Sequence, residues 1–539
     1  MSSNITEIGF ENWKIFKEFT EFKLKPITIL TGTNASGKSS AIDGFYSILD
    51  FISSYRTDNL FISKKKWDNI PNNNTPKKNV NFYLNVQQEL SIENEYYNDL
   101  LDMKISIKLK NNNKNNDFIY SSLVHCLSFN SNKLVEYSLL YGDKYFIRVK
   151  KKNQKCFNVS IDLECYFKLF NISYDKLFCS KSESVNKCLK ILLNKLTLDL
   201  DVIFKGNVLF IKGNENLDIE FKNKRLNEMF SNKEPNIIDI YEGFVAYPLK
   251  IFEILESKKL SSNIFGKFLE NHKSNDVNIT YINKNDLSFN IDIINEFRYS
   301  YICYQNNFHN ILLRYEFFED INNIIPVVKN KNYKYLKERL ANFGIMLNGV
   351  YNSDNEISSD FINYWIKKFE IGDKIINKIN SSDIKIKKES KEISLIHLGF
   401  GICQLVPLII DVANKIGWNS QQQHVYVSEP ESNLHPNFQS LLADFFVDAY
   451  KKFGIRFIIE THSEYLIRKL QYLTAKKELK TDDSVIYYLS DPSKISKDEK
   501  QVKEIFIKED GRLSDQFGPG FFDESANLVK SIWEERSKN

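Results

Sequence analysis

The sequence predicts an α/β protein in which a parallel or mixed sheet carries helices on its faces, joined by an antiparallel β region and a large, mixed but mainly helical insertion. Three observations predict it. An apolar run near the N-terminus leads directly into a glycine-rich turn and an amphipathic helix, a series of strand-like segments fills residues 80–165, and strands alternate with helices over residues 391–539.

At the front, EIGFENWKIF and TEFKLKPITIL cluster apolar residues in short runs between polar turns, which predicts two or three strands ending at Thr31. From Ser39 the segment SSAIDGFYSILDFI is too long for a strand and sets Ile42, Phe45, Ile48, Leu49 and Ile52 on one helical face. Residues 64–79, KKKWDNIPNNNTPKKN, read as a solvated loop where the chain leaves one unit. The following VNFYLNV, KISIKLK, FIYSSLVHCLSF, KYFIRVKK and CFNVSIDL predict antiparallel strands, with NNNKNND as a hairpin tip. Residues 166–390 mix helical stretches such as VNKCLKILLNKL and FINYWIKKF with strands such as NVLFIKG, without a repeat or a sustained heptad. Order returns in a helix from about Ile402, a strand HVYVS, a helix PNFQSLLADFFVDAYKK, a strand IRFIIE, a helix from near Ser463 and two strands, SVIYYLS and QVKEIFI.

Composition narrows the function classes. The 539 residues are 42% apolar and 26% charged, a globular balance that excludes a wholly disordered chain. A net charge of +4 neither diagnoses nor excludes a nucleic-acid partner. Seven scattered cysteines without a CxxC pair fit reduced thiols. MSSNITEIGFENW lacks the plan of a signal peptide, and the most apolar stretch, LIHLGFGICQLVPLII, is interrupted by His397, Gln404 and Pro407, so a cytoplasmic protein without a membrane partner is expected.

The most specific motif is ILTGTNASGKSS. Gly32, Thr33, Asn34, Ala35, Ser36, Gly37, Lys38 and Ser39 fit GxxxxGK[ST] between a strand and a helix, with Ser40 following. Glycines let the backbone curl around phosphate oxygens, N–H groups and the helix N-terminus point at negative charge, Lys38 supplies a cation and Ser39 a ligand for Mg2+. The loop leaves ATP and GTP open.

Nearly four hundred residues later, HVYVSEPESNLHP is a strand ending in acids, the arrangement that delivers carboxylates to a metal-bound phosphate and an attacking water. Glu429 is the expected general base and a Mg2+ residue, and Glu431 either assists the metal or faces a second subunit. RFIIETHSEYLIRKL places His462 just after another strand, within reach of a γ phosphate or in a purely structural role. In HLGFGICQLVPLI, Gly399 and Gly401 precede a helix start, which either faces phosphate or is a tight turn capping a buried helix.

Taken in order, TGTNASGKSS, LGFGICQ, VSEPESNLHP and ETHSEYLIRKL resemble the ABC-type ATPase heads of the RecF, SMC and OLD-related group, over roughly residues 1–55 and 390–539. SVIYYLS, QVKEIFI and GPGFFDES resemble the ending of AAA-family ATPases with a DUF3696-like tail. The resemblance implies a head split between residues 1–165 and 391–539, with 166–390 as an insertion that meets partners. It implies ATP with Mg2+ as cofactors and two subunits that sandwich two nucleotides, the P-loop of one facing LGFGICQ of the other. Aligned on the LSGGQxQ signature, Gly399, Gly401 and Gln404 then belong to the nucleotide site, Gly399 standing where a serine hydroxyl is usual. His435 takes the D-loop position and His462 that of the switch histidine. Aligning SEP with DEP or EEP puts Ser428 where an acid normally supports the metal, which raises slow turnover as a second reading.

The combination also resembles the PtuA-type ATPase subunits of Septu and retron-associated antiphage systems. That implies an HNH-type nuclease as partner and, in retron systems, a reverse transcriptase with its RNA/DNA product. The expected function is an ATPase that dimerises around ATP and regulates such an effector. A hydrolysis-poor, nucleotide-locked scaffold and a RecF-like DNA-repair ATPase using the basic run RVKKKNQK are the alternatives.

Overall fold

The structure is a computed structural model, and it describes residues 3–54, 79–90, 96–98, 103–105, 119–130, 133–142, 144–162, 165, 197–205, 208–213, 218–221, 237, 356–376, 384–416, 424–496, 499–518 and 521–537. The loop expected at 64–79, except its last residue, the tip NNNKNND, the helix VNKCLKILLNKL and most of the expected insertion lie outside the described residues.

Strands β1 (Ser3–Glu11), β2 (Thr20–Lys23) and β3 (Ile27–Gly32) open the chain and α1 (Lys38–Ser54) follows, as the apolar runs predict. Next come β4 (Val80–Leu90), β5 (Tyr96–Asn98), β6 (Met103–Ile105), β7 (Ile119–Asn130), β8 (Lys133–Tyr141), β9 (Lys144–Asn153), β10 (Cys156–Asp162), β11 (Thr197–Lys205), β12 (Val208–Gly213) and β13 (Asp218–Phe221). The C-terminal elements are α2 (Glu356–Lys368), β14 (Lys374–Ile376), β15 (Lys385–Lys388), β16 (Lys391–Ser394), α3 (Phe400–Asn414), β17 (His424–Ser428), α4 (Pro436–Phe453), β18 (Arg456–Glu460), α5 (Glu464–Ala475), β19 (Ser484–Leu489), β20 (Val502–Ile505) and α6 (Glu524–Arg536). They fold into two compact units, Ser3–Glu21 with Ser47–Leu313, and Phe22–Tyr46 with Arg314–Asn539.

In the first unit the strands stand in the order β13-β12-β11-β10-β9-β8-β7-β4-β1, each pair antiparallel. The antiparallel region therefore runs past residue 165, where it was expected to end, because β10 continues its ladder with β11. Strand β10 buries Phe157, Val159 and Ile161 and half-exposes the residues between them, the two-residue period of a sheet with one covered face. Phe10, Trp13, Phe16, Phe82 and Phe129 are fully buried in this unit and meet edge to face or tilted. In the basic run, Arg148 and Lys150 pair with Glu136 and Lys152 with Asp201, as on the solvated face of an interior strand. Cys126, Cys156, Cys165 and Cys403 form no disulfide among the described residues.

The second unit is built on a five-stranded sheet in the order β17-β18-β3-β19-β20, parallel except for β20. All of β3 and β19 is buried, as continuous apolar runs in a covered parallel sheet require. Helix α4 links β17 to β18, the crossover that parallel neighbours need. It starts at Pro436 and stops at Gly454, whose φ of 72° closes the last turn on Tyr450 O. On its buried face Phe445 meets Phe361, Trp365 and Phe369 from α2 and the turn after it, and Phe446 meets Phe457 of β18, each such large side chain contributing about 1.5–3 kcal/mol by leaving water. Trp365 keeps its indole N–H satisfied on Asp448. No described helix is long and apolar enough to cross a membrane.

Candidate functional site

The sheet order decides the site. Strand β18 lies between β17 and β3, so the start of the glycine-rich loop and the acidic strand end, nearly four hundred residues apart in sequence, reach the same edge of one sheet.

The loop leaves β3 at Gly32, whose φ of 140° and whose hydrogen, where a Cβ would sit 2.0 Å from Leu489 O, both demand glycine. Thr33 N–H is donated to Leu489 O at 3.3 Å, which ties the loop to β19. Asn34 and Ala35 form the exposed tip, with Ala35 at φ 60°, and Gly37 opens the first turn of α1 by accepting from Ala41 N–H. Ser40 is half-buried on the next turn. Gln501, at the entry to β20, donates its side-chain amide to Ser36 O at 3.1 Å. Lys38 is 6% exposed and donates its ammonium to Gly32 O at 3.0 Å and Thr33 O at 2.8 Å. Burial lowers its pKa, against the opposing pull of Glu460 and then Glu429. The hydroxyls of Thr33 and Ser36 are buried without a hydrogen-bond partner among the described residues. A desolvated cation on neutral carbonyls, orphaned hydroxyls and a helix N-terminus together fit an incoming phosphate.

On the acidic side, Ser428 ends β17 directly opposite Glu460, which ends β18 and in turn faces Leu30 of β3. Glu460 is 5% exposed, and its carboxylate accepts from Ser39 Oγ at 3.3 Å, Ser428 Oγ at 3.0 Å and Tyr426 Oη at 3.0 Å. Glu429 turns the chain away from the sheet at φ 44°, a left-handed conformation that costs a non-glycine residue about 1–2 kcal/mol. Its N–H is donated to Glu460 O at 2.7 Å, and its carboxylate accepts from Ser432 Oγ at 3.2 Å. Strain of this kind persists where surrounding bonds hold it.

Glu431, expected to help a metal or face a second subunit, is 8% exposed, and its Oε1 accepts the backbone N–H of His462 at 2.6 Å. Burial raises its pKa against that bond. His462 follows β18, as expected; the residue is exposed, yet desolvation first and the Lys38 ammonium second lower its pKa, while Glu429 and Glu460 oppose. Ser463 caps α5 by accepting from Leu466 N–H and donates its hydroxyl to Gln439 Oε1, whose amide nitrogen donates to Leu434 O. His435 is the exposed cap of α4, its Nδ1 accepting from Asn437 N–H at 3.3 Å.

Gly399 is the exposed N-cap residue of α3, with open space where a Cβ would be. Gly401 is buried, and a Cβ there would lie 2.5 Å from Asn433 O and 2.8 Å from Leu434 Cδ2. Its place is to let α3 press against the turn that carries Glu429 and Glu431. Gln404, one turn on, accepts from Asn433 Nδ2 at 3.4 Å.

Residues 4–467 match the model of the AAA ATPase domain family. The chain belongs to the AAA ATPase domain family. This ATPase is therefore an ATP hydrolase, and its C-terminal residues 479–532 match a second model, a protein family of unknown function, DUF3696. No protein of curated function matches it. Among solved structures, the Smc head domain with an extended coiled coil bound to the C-terminal domain of ScpA, from Pyrococcus furiosus, aligns over 98% of this chain and 100% of its own at 12% identity and a TM-score of 0.36. The SMC head domain from Thermotoga maritima aligns over 94% and 99% at 9% identity and 0.31. The family assignment of the ATPase rests on the sequence match, not on these two.

Two residues of the site were not singled out in the sequence. Glu460 carries a signal, an acid at a strand end directly before Thr461 and His462. Gln501 carries none, since only the fold brings it to Ser36.

Proposed function

We propose that this ATPase closes as a head-to-head dimer on two ATP molecules and uses their hydrolysis to control a partner effector. The observation that carries the reading is the gathering of Lys38, Ser39, Glu429, Glu460 and His462 at one edge of the parallel sheet. Lys38 leaves its carbonyls for the β and γ phosphates, Glu429 takes the proton of an attacking water, and His462 contacts the γ phosphate. Mg2+, held by Ser39 and Glu429, would offset phosphate charge when bound. Gly399, exposed at the start of α3, and His435, exposed at the start of α4, face the sister copy's nucleotide, with Gln404 supporting the turn between them. Phosphate release by the purified chain, with Lys38→Ala as reference, tests hydrolysis; chromatography with ATP and Glu429→Gln tests ATP-dependent dimerisation.

The partner is an HNH-type nuclease of an antiphage complex, with a reverse transcriptase and its RNA/DNA product in a retron setting. The resemblance of the four motifs to such ATPase subunits supports this. Coexpression with flanking genes, copurification and DNA or tRNA cleavage assays test it, and full activity of the chain without any partner counts against it. A nucleotide-locked scaffold is the competing reading, favoured by Gly399 standing in place of a hydroxyl; a clear wild-type turnover that Glu429→Gln abolishes removes it.

A further inference from the structure

We infer that Glu460, from β18, supplies the metal-supporting carboxylate that Ser428, on the neighbouring strand, lacks. The inference rests on the ATP reading above and goes beyond it by moving the acid from one strand to the next. Ser428 and Glu460 are direct partners in the parallel ladder, and the serine hydroxyl donates to Glu460 Oε2 at 3.0 Å. The other oxygen, Oε1, accepts from Ser39 Oγ at 3.3 Å, the hydroxyl that follows the phosphate-binding lysine. Glu460 is thus wedged between the position where an acid is expected and the serine that ligates the metal.

Its surroundings also favour a cation. The carboxylate is 5% exposed and is met by three neutral hydroxyls, from Ser39, Ser428 and Tyr426, while no Lys, Arg or His among the described residues pairs with it. The Lys38 ammonium, which acts on Glu460 through space, is engaged by Gly32 O and Thr33 O. A buried carboxylate hydrogen-bonded only by hydroxyls, with the Lys38 ammonium acting on it through space, keeps part of its desolvation cost, and a divalent ion next to Ser39 reduces it. The hydroxyls of Ser428 and Tyr426 both hold Oε2, which leaves Oε1 directed to the Ser39 side. Carboxylates that support a metal's ligands typically change its affinity 10–100-fold when removed.

The test is the Mg2+ dependence of binding of a fluorescent non-hydrolysable ATP analogue to the full chain, read with Mn2+ paramagnetic resonance as a second measure of the metal. Glu460→Gln, which keeps the shape of the side chain, is expected to raise the half-saturating metal concentration roughly 10–100-fold while metal-free analogue binding does not weaken, since a negative charge has left the phosphate site. Ser428→Asp added to Glu460→Gln is expected to restore metal affinity, because it returns the acid to the adjacent strand end. Wild-type metal affinity in Glu460→Gln overturns the inference and leaves the nucleotide reading standing. Failure of the wild-type chain to bind the analogue at all overturns both. If Glu460→Gln does not fold, the single variant Ser428→Asp decides: in the presence of Glu460 a second acid placed beside it must alter metal affinity, and no change overturns the inference.

Discussion

Glu431 Oε1 accepts the backbone N–H of His462 across 2.6 Å, so the turn after β17 holds the residue after β18 by its main chain rather than by its ring. The imidazole stays available to the site while its backbone is pinned. The same turn gives Glu429 N–H to Glu460 O at 2.7 Å, and the two strand ends are locked to each other twice.

Glu431→Gln keeps an acceptor for His462 N–H and discards a buried charge. Since burial raises the folded-state pKa of Glu431 above its ordinary value, the native state binds more protons than the unfolded one in that window. The group's favourable contribution is therefore full below about pH 4.5 and is lost as pH rises through the folded value. Thermal melts should place Glu431→Gln at or above wild type at pH 8, with the gap closing toward pH 4.5. Glu431→Ala, which orphans the N–H, should lose about 1–3 kcal/mol by denaturant titration.

His462 has its pKa lowered below the ordinary 6.5, so its ring is neutral at pH 7. Between the folded value and 6.5 the unfolded state binds more protons, and the stability this group contributes above pH 6.5 declines as pH falls through that window. NMR titration of the ring should show a midpoint below 6.5. His462→Ala should slow phosphate release on the order of 100-fold while analogue affinity changes little.

Glu429 combines strain with chemistry. Glu429→Gly relieves a left-handed backbone at φ 44° and should raise stability by about 1 kcal/mol in denaturant titrations, yet phosphate release should fall at least ~100-fold. A Glu429→Gly chain that turns over ATP at the wild-type rate would remove Glu429 as the base.

Close approach makes two glycines irreplaceable for different reasons. Gly32→Ala forces a methyl to within 2.0 Å of Leu489 O on β19, so the loop must leave its strand, and nucleotide binding should be lost. Gly401→Ala pushes α3 from Asn433 O, at 2.5 Å, and should lower turnover through a displaced Glu429 turn while analogue binding to the P-loop persists. Melting curves and binding isotherms on both variants separate the two effects.

Much of this was legible in the sequence because local signals are carried by contiguous residues. The strand, turn and helix around Lys38 and the series from α3 to β20 follow from apolar periodicity and turn residues, and each stands where the pattern puts it. The extent of the antiparallel sheet was not legible, because the pairing of β10 with β11 joins strands separated by more than thirty residues. Helix α6 is not among the elements the sequence predicts: its Leu528, Val529, Ile532 and Trp533 are all largely exposed, so burial gives no reason for a helix there.

The order of residues alone determined a phosphate-binding loop, an acidic strand end and a histidine after a strand, since each is a short run whose chemistry needs no distant partner. Only the tertiary structure decided that β18 inserts between β17 and β3, and with it that Glu460 meets both Ser39 and Ser428 while Glu431 turns inward to His462. Strand order in a parallel sheet is set by which buried faces pack together across the whole unit, and no stretch of a few residues encodes that choice.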